Sequence, residues 1–496
     1  MPAVAPDQIP FFEELVASAR RQRPHLRIQP PLLADLTARQ RKAVTHGDGP
    51  LLIVAGAGTG KTTVITRRIA WLIAEKRARP AEILALTFTD RAALEMAERV
   101  DRLVPYGHND AAISTFHAFG DRLLREHGLE AGLSDRSTVL SRAEQVIFLR
   151  EHLFELPLDR YRPLGDPTRF LSALVTLFSR LRDEDVSPEA YLAAAARLTE
   201  QCASAPGDVS AAEEAARHTE LASCFAAYER LMRAGDRLDF GDQVTLAITL
   251  LHTHPRVLAA EQERHRYILV DEFQDTNHAQ WELVKLLAAP HANVTVVGDD
   301  DQSIYRFRGA ALGNILGFRT SYPGAATVVL ADNFRSRQPI LDAAYRLIRH
   351  NDPERLEVRE GVDKRLRSRM RPGAPPATVP IELVGYATGS DEADGVAERI
   401  AGALRAGRRA GDHAILVRGN RDADPFLRAL NVARIPWRFS GTAGLYRQPE
   451  VRLLISFLRA VNDPDDSISL YDLATSELFG LAPADVTVAL NRASRR

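Results

Sequence analysis

"LLIVAGAGTGKTT" (residues 51–63) joins an apolar run to a glycine-rich turn that ends in Lys61, Thr62 and Thr63. The run has the character of a strand buried on both faces, and beyond the turn Ile65, Ile69, Leu72 and Ile73 fall on one face of a helix. A turn in this setting closes backbone N–H groups around phosphates, and the helix N-terminus adds partial positive charge. Ala55, Gly56, Ala57, Gly58, Thr59 and Gly60 form the cradle, Lys61 reaches toward the β and γ phosphates, and the Thr62 hydroxyl is placed to bind Mg²⁺. Ala55 stands where the GxxxxGK[ST] pattern has its first glycine. Strand, turn, lysine, threonine and helix together predict a phosphate-binding loop in an α/β protein.

Four further runs share the character of the first: "ILALTFT" (83–89), "YILVDEF" (267–273), "VTVVGDD" (294–300) and "ATVVLAD" (326–332). With helical patterns between them they predict a parallel sheet, whose ligands bind at the carboxyl ends of the strands. From about 116 to 238 the chain turns to long Ala/Leu/Arg/Glu segments, which predict an all-helical insertion. Beyond Arg335, "IELVGYA" (381–387) and "HAILVRG" (413–419) read as strands of a second α/β unit, with "RPGAPPATVP" (371–380) as a linker.

Composition narrows the setting. A chain of 496 residues has room for roughly three or four domains. Cys202 and Cys224 cannot build a disulfide framework or a zinc site, which makes a reducing, cytoplasmic setting the expectation. No run reaches the ~18 apolar residues of a membrane span. A net charge of -1 gives no global pull on nucleic acid, so contact with it must come from local patches.

A nucleotide site needs a second half, and "YILVDEFQDT" supplies it: Asp271 at the strand end can hold Mg²⁺, and Glu272 is placed to activate water. "VVGDDDQSIYRFRGA" (296–310) is open to three readings: metal ligands in Asp299 to Asp301, a nucleic-acid grip in its aromatics and arginines, or a polar loop. "KRLRSRMR" (364–371) reads first as a solvated loop and second as a phosphate contact. The histidines of "LHTHPR" (251–256) lack the carboxylate pattern of a metal site.

"LTARQRKAVTH" (36–46), "AGAGTGKTT", "LTFTDRAALEMAERV" (86–100), "ISTFHAFG" (113–120), "LDFGDQV" (238–244), "ILVDEFQDTN" (268–277), "VVGDDDQSIYRFRGA" and "LADNFRSRQPIL" (330–341) follow one another in an order and spacing that resemble the UvrD/Rep/PcrA-like superfamily 1A DNA helicases. The resemblance runs from about residue 35 to 460. It implies an ATP- and Mg²⁺-dependent motor moving 3′ to 5′ on single-stranded DNA and at duplex junctions, in repair or recombination. It implies a RecA-like domain from 35–115 and 239–335 after an N-terminal extension (1–34), a helical insertion (116–238), a partial second RecA-like domain (336–460) and the start of a further inserted region (461–496).

The resemblance also implies roles. Gln40 resembles the glutamine that reads adenine, Arg335 the arginine finger at the γ-phosphate, and Phe334 a stacking residue where the family often has tyrosine. Phe88, Thr115, Phe116 and His117 resemble residues lining the single-strand path, although Asp90 and Arg91 stand where Asn and Lys are common. "VVGDDDQSIYRFRGA" then becomes a connector. Its aspartates are the polar end of a strand, Gln302 senses the γ-phosphate, and Tyr305, Phe307 and Arg308 point toward DNA.

Stretches resembling the family's motifs V and VI are absent, so the sequence is expected to be a truncated copy of a longer helicase or helicase-nuclease. Two rivals follow: a P-loop protein that binds ATP and DNA without unwinding, and a P-loop kinase or small-molecule ATPase. The second explains neither "TFHAF" nor "QSIYRFRGA".

Overall fold

The computed structural model describes residues 32–104, 110–134, 136–204, 208–305, 312–370, 381–440 and most of 449–489. Contacts divide the chain into two compact units, one ending at Pro380 and the other beginning at Ile381.

The first unit is built on six parallel strands: β1 (Leu51–Ala55), β2 (Ile83–Thr87), β3 (Ala112–Thr115), β4 (Tyr267–Val270), β5 (Val294–Gly298) and β6 (Ala326–Leu330), in the order β3-β2-β4-β5-β1-β6. The five apolar runs predicted as strands are all present. β1, β2, β4 and β5 are buried along their whole length, as central strands covered by helices on both faces must be.

Alternate residues feed two cores. Leu52, Val54, Leu84, Leu86, Ile268 and Val296 face one side, which the helices Asp242–Thr253 and His278–Ala288 cover. Leu51, Ile53, Ile83, Ala85, Leu269 and Val297 face the other, against Val64, Ile65, Ile69 and Leu72 of the helix Lys61–Ala74. The helix Phe116–Glu126 also packs with the sheet, through Phe116, Phe119, Leu123 and Leu124. The helical body has its own core, running from Phe148 to Met232.

Register sets the site. Val54 lies opposite Gly298, and Val270 opposite Val296, so the turns after β1, β4 and β5 emerge on one edge. β5 lies between β1 and β4, so the two halves of the nucleotide site face each other across one strand rather than as direct neighbours.

The second unit contains the helices Gly389–Arg405, Asp424–Val432, Pro449–Asn462 and Ser467–Ala474. Ala393, Ala397, Ala429, Leu430 and Ile435 form its small core. The strands expected at 381–387 and 413–419 are not formed: neither segment joins a ladder among the described residues. Leu383 and Leu416 are almost fully exposed. A β segment depends on a partner for its N–H and C=O groups, and these two have none among the described residues.

Candidate active site

The turn after β1 is held open by its glycines. Gly58 and Gly60 have φ of 76° and 87°, where side chains are strained. A Cβ on Gly58 would lie 2.7 Å from Arg335 Cβ and 2.8 Å from Asn333 Nδ2. That crowding marks a close dock: Asn333 Nδ2 donates to the Ala57 carbonyl (2.6 Å), and Phe334 N donates to the Gly58 carbonyl (2.9 Å). Asn333 Oδ1 accepts from the Arg335 and Ser336 amides at 2.9 and 2.7 Å. The segment that carries Arg335 is therefore pinned to the phosphate loop. Asn333 does the pinning, a role that no pattern in the sequence around it announces.

Gln40 lies on the other side. Thr37 and Gln40 form a reciprocal cap at the N-terminus of the helix Ala38–Val44, and Gln40 Nε2 donates to the Thr59 carbonyl at 2.9 Å. The predicted adenine-reading side chain is thus also a brace of the loop.

A cavity of about 550 Å³ gathers these residues. Gln40, Ala57, Gly58, Gly60, Lys61, Thr62, Thr63, Glu272, Gln302, Phe334 and Arg335 line it, joined by Arg67 and Arg99. The two arginines sit on helices whose other turns read as ordinary amphipathic surface, which hid them in the sequence. Ala55 and Asp271 lie buried behind the lining.

Across the cavity, Lys61 Nζ lies 2.6 Å from Glu272 Oε2. Glu272 has φ of 50°, and its amide donates to Asp271 Oδ1 at 3.0 Å. Burial, then the Glu272 charge, raises the Asp271 carboxyl to about 6. Asp275 is raised to about 6 for the same reasons. Two crowded carboxylates facing one ammonium form an anion-rich pocket that suits a divalent cation held with phosphate oxygens. Thr62, in the lining, and Asp271, behind it, carry oxygen donors of the kind Mg²⁺ takes.

Asp299, Asp300 and Asp301 bring their oxygens within 4.8 Å of one another. The centre is taken by Lys364, whose Nζ lies 2.7 Å from Asp299 Oδ1 and 2.9 Å from Asp301 Oδ2 and also contacts Asp300. The metal reading of this triplet gives way to an internal ammonium. Arg355 forks onto Asp301 at 2.8 and 2.7 Å. Of the remaining run, Arg365, Arg367 and Arg369 pair with Asp342, Asp363 and Asp332.

On the proposed DNA side, Phe88 and Tyr305 come together, with ring centroids 5.4 Å apart. His117 lies against Phe240, an exposed aromatic to which the stretch "LDFGDQV" by itself gives no role (5.1 Å). Burial lowers the His117 imidazole below its usual range. Phe116 does not line a path: it is 2% exposed and sits in the sheet core. Thr115 caps the helix that follows it, accepting from Ala118 N, and its hydroxyl donates to Asp90 Oδ1, both at 3.2 Å. That bond gives Asp90 a partner within the fold. Phe307 and Arg308 lie outside the described residues.

The UvrD/REP helicase N-terminal domain profile matches residues 36–323, and the UvrD-like helicase C-terminal domain profile matches 328–490. The chain is 34% identical over 461 residues to the ATP-dependent DNA helicase PcrA of Staphylococcus epidermidis, covering 92% of this chain and 58% of that relative. It is 34% identical over 466 residues to PcrA of Staphylococcus aureus, covering 93% and 58%. The chain thus spans a little over half the length of the curated relatives it matches.

Proposed function

We propose, from the premise that this chain belongs to the UvrD/REP helicase family, that it hydrolyses ATP in response to single-stranded DNA and uses the energy to move along the strand. The observation that carries this reading is the cavity of about 550 Å³ in which Lys61, Glu272, Gln302 and Arg335 converge from four separate segments. Its size suits a nucleotide.

Lys61 and the loop amides would hold the β and γ phosphates, with Phe334 against the base or sugar and the second amide N–H of Gln40 offered to a base edge. Mg²⁺, when bound, neutralises phosphate charge, and Thr62 and Asp271 are the residues that would hold it. Lys61 now occupies Glu272 at 2.6 Å. Phosphates that draw the ammonium away release the carboxylate to take the proton of an attacking water. Arg335 meets charge developing on the γ-phosphate, and Gln302 reports its presence to Tyr305 three residues on.

Phe88 and Tyr305, His117 and Phe240 offer stacking faces to unpaired bases, which every base satisfies, so the grip is sequence-independent. Movement from 3′ to 5′, action at duplex junctions, and a cytoplasmic role in repair or recombination complete the reading. No helix among the described residues is long and apolar enough to cross a membrane. The helical body is the inserted domain of the first motor domain, and the region beyond 336 belongs to the second.

A second reading, binding of ATP and DNA without strand separation, is favoured by the lack of a strand ladder among the described residues beyond 381. A forked-duplex assay separates the two. The shared core is tested by ATPase rates with and without single-stranded DNA. Wild type should be stimulated, and Lys61→Ala should lose about 100-fold or more. A rate indifferent to both DNA and Lys61 would sink the proposal.

A further inference from the structure

Lys364 does not line the ATP cavity, yet it is one of the buried cations beside it. Its side chain is 5% exposed, and the Asp299, Asp300 and Asp301 carboxylates surround its ammonium. The chain is brought back to this point by a short parallel pairing of Arg367–Ser368 with Asp332–Asn333, in which Arg367 N donates to the Ala331 carbonyl (2.8 Å) and Arg369 N to the Asn333 carbonyl (2.7 Å). Asn333 in turn holds the phosphate loop through Ala57.

Asp299 is where these ties meet. One oxygen faces Lys364, and the other accepts from Gln302 Nε2 at 2.7 Å. Its amide donates to Gln274 Oε1 at 3.0 Å, while Gln274 Nε2 donates to Glu272 Oε2 at 2.8 Å. Gln274 is 1% exposed and lies so close to the strand end that a Cβ on Gly298 would come within 2.7 Å of Oε1. An unbroken polar chain therefore runs from Lys61 through Glu272, Gln274 and Asp299 to Lys364. Its far end belongs to the segment matched by the C-terminal domain profile.

We infer that Lys364 is a positioning residue: by fixing Asp299 it aims the Gln302 amide at the γ-phosphate, so that the segment beyond β6 sets how well the site distinguishes a nucleoside triphosphate from a diphosphate. This rests on the proposed role of Gln302. With Oδ1 of Asp299 engaged by the ammonium and by the Asp301 amide (3.3 Å), Oδ2 is the oxygen turned toward Gln302, which favours one orientation of the glutamine. Without the ammonium, Asp299 Oδ1 keeps only the long bond from the Asp301 amide (3.3 Å), so its hold on Gln302 loosens.

Lys364→Met alone leaves three carboxylates underneutralised and risks unfolding. The paired variant Lys364→Met with Asp300→Asn removes one charge of each sign, and asparagine keeps an oxygen for the Leu356 amide, which donates to Asp300 Oδ2 at 2.7 Å. Full-chain wild type, this variant, Gln302→Ala and their combination are titrated with ADP and with a slowly hydrolysed ATP analogue, and their thermal midpoints are recorded. The paired variant should bind ADP within about twofold of wild type and lose about tenfold of the preference for the triphosphate. Gln302→Ala should lose a similar factor, and the combination no more than either, as coupled residues behave. Retained preference in a folded paired variant, or losses that simply add, overturns the assignment of Lys364 alone. A wild type that binds neither nucleotide, or does not prefer the triphosphate, overturns the reading of the site and the assignment with it.

Discussion

Two neighbouring strands of one sheet end in acids, and the chain treats them oppositely. At the end of β4, Glu272 shares the cavity with Lys61, and Asp271, buried just behind it, is pushed up to about 6. At the end of β5, Asp299 to Asp301 are enclosed by Lys364 and Arg355. Although burial alone would raise it, the Arg355 fork and the Lys364 ammonium hold Asp301 below the usual carboxylate range. The first pair is left short of positive charge, which an incoming metal–phosphate group can supply. The second triplet is tied down by the protein's own cations, although burial still raises the Asp300 carboxyl above its usual range. Similar residues at equivalent positions thus divide into an end proposed to react, called the reacting end below, and a framing end.

The largest expected effect breaks the reacting end. Glu272→Gln keeps the side-chain shape and the hydrogen bond from Gln274 but cannot take a proton. DNA-stimulated ATP turnover should fall about 100- to 1000-fold. ATP affinity should hold or tighten, because Lys61 loses its internal partner. A fall of less than tenfold would return Glu272 to the framing class.

The framing end is tested next. Arg355 is 4% exposed on its side chain and contacts Asp301, Asp352 and Glu357. Arg355→Ala leaves Asp301 facing Lys364 alone, and unfolding in urea should show a loss of about 3 kcal/mol. A variant as stable as wild type would mean that solvent already screens this cluster.

The reacting end was far more legible in the sequence than the framing end. Lys61, Asp271 and Glu272 each terminate a local pattern, an apolar strand followed by a turn, so fifteen or so contiguous residues carry the signal. Lys364 and Arg355 meet aspartates 54 to 65 positions earlier in the chain, through bonds that no local pattern announces. A run of five cations looks solvated, and three of its arginines are indeed surface-paired; among the described residues of the run, only Lys364 turns inward. Phe116 failed for a related reason: Thr115 caps the helix, and that geometry turns the next side chain into the core. The segments 381–387 and 413–419 have strand composition, but composition does not supply a pairing partner.

Beyond the framing end lies the aromatic one. Tyr305→Ala removes the partner of Phe88, and the single-stranded DNA concentration giving half-maximal ATPase stimulation should rise about tenfold, the worth of one stacked base. An unchanged midpoint would place the Phe88–Tyr305 contact in the fold rather than on the DNA path.

The smallest effect tests whether a clamped acid far from the site does anything except stabilise. Burial opposes ionisation of Glu261, but hydrogen bonds from His265 and Arg122 outweigh it and hold the carboxyl at about 2. Its folded pKa is below that of an unfolded glutamate, about 4.3, so its contribution is fully present above that value and is lost as pH falls toward about 2. Glu261→Gln should cost on the order of 1 kcal/mol at pH 7, since Arg122 and Arg264 are partly solvated and screen the pair. The gap to wild type should narrow below about pH 4 and close near pH 2. The ATPase rate with DNA should stay at the wild-type value. A variant that lost turnover while keeping its stability would show that fixed acids of this protein also serve the reaction, and would remove the basis for separating a framing end from a reacting one.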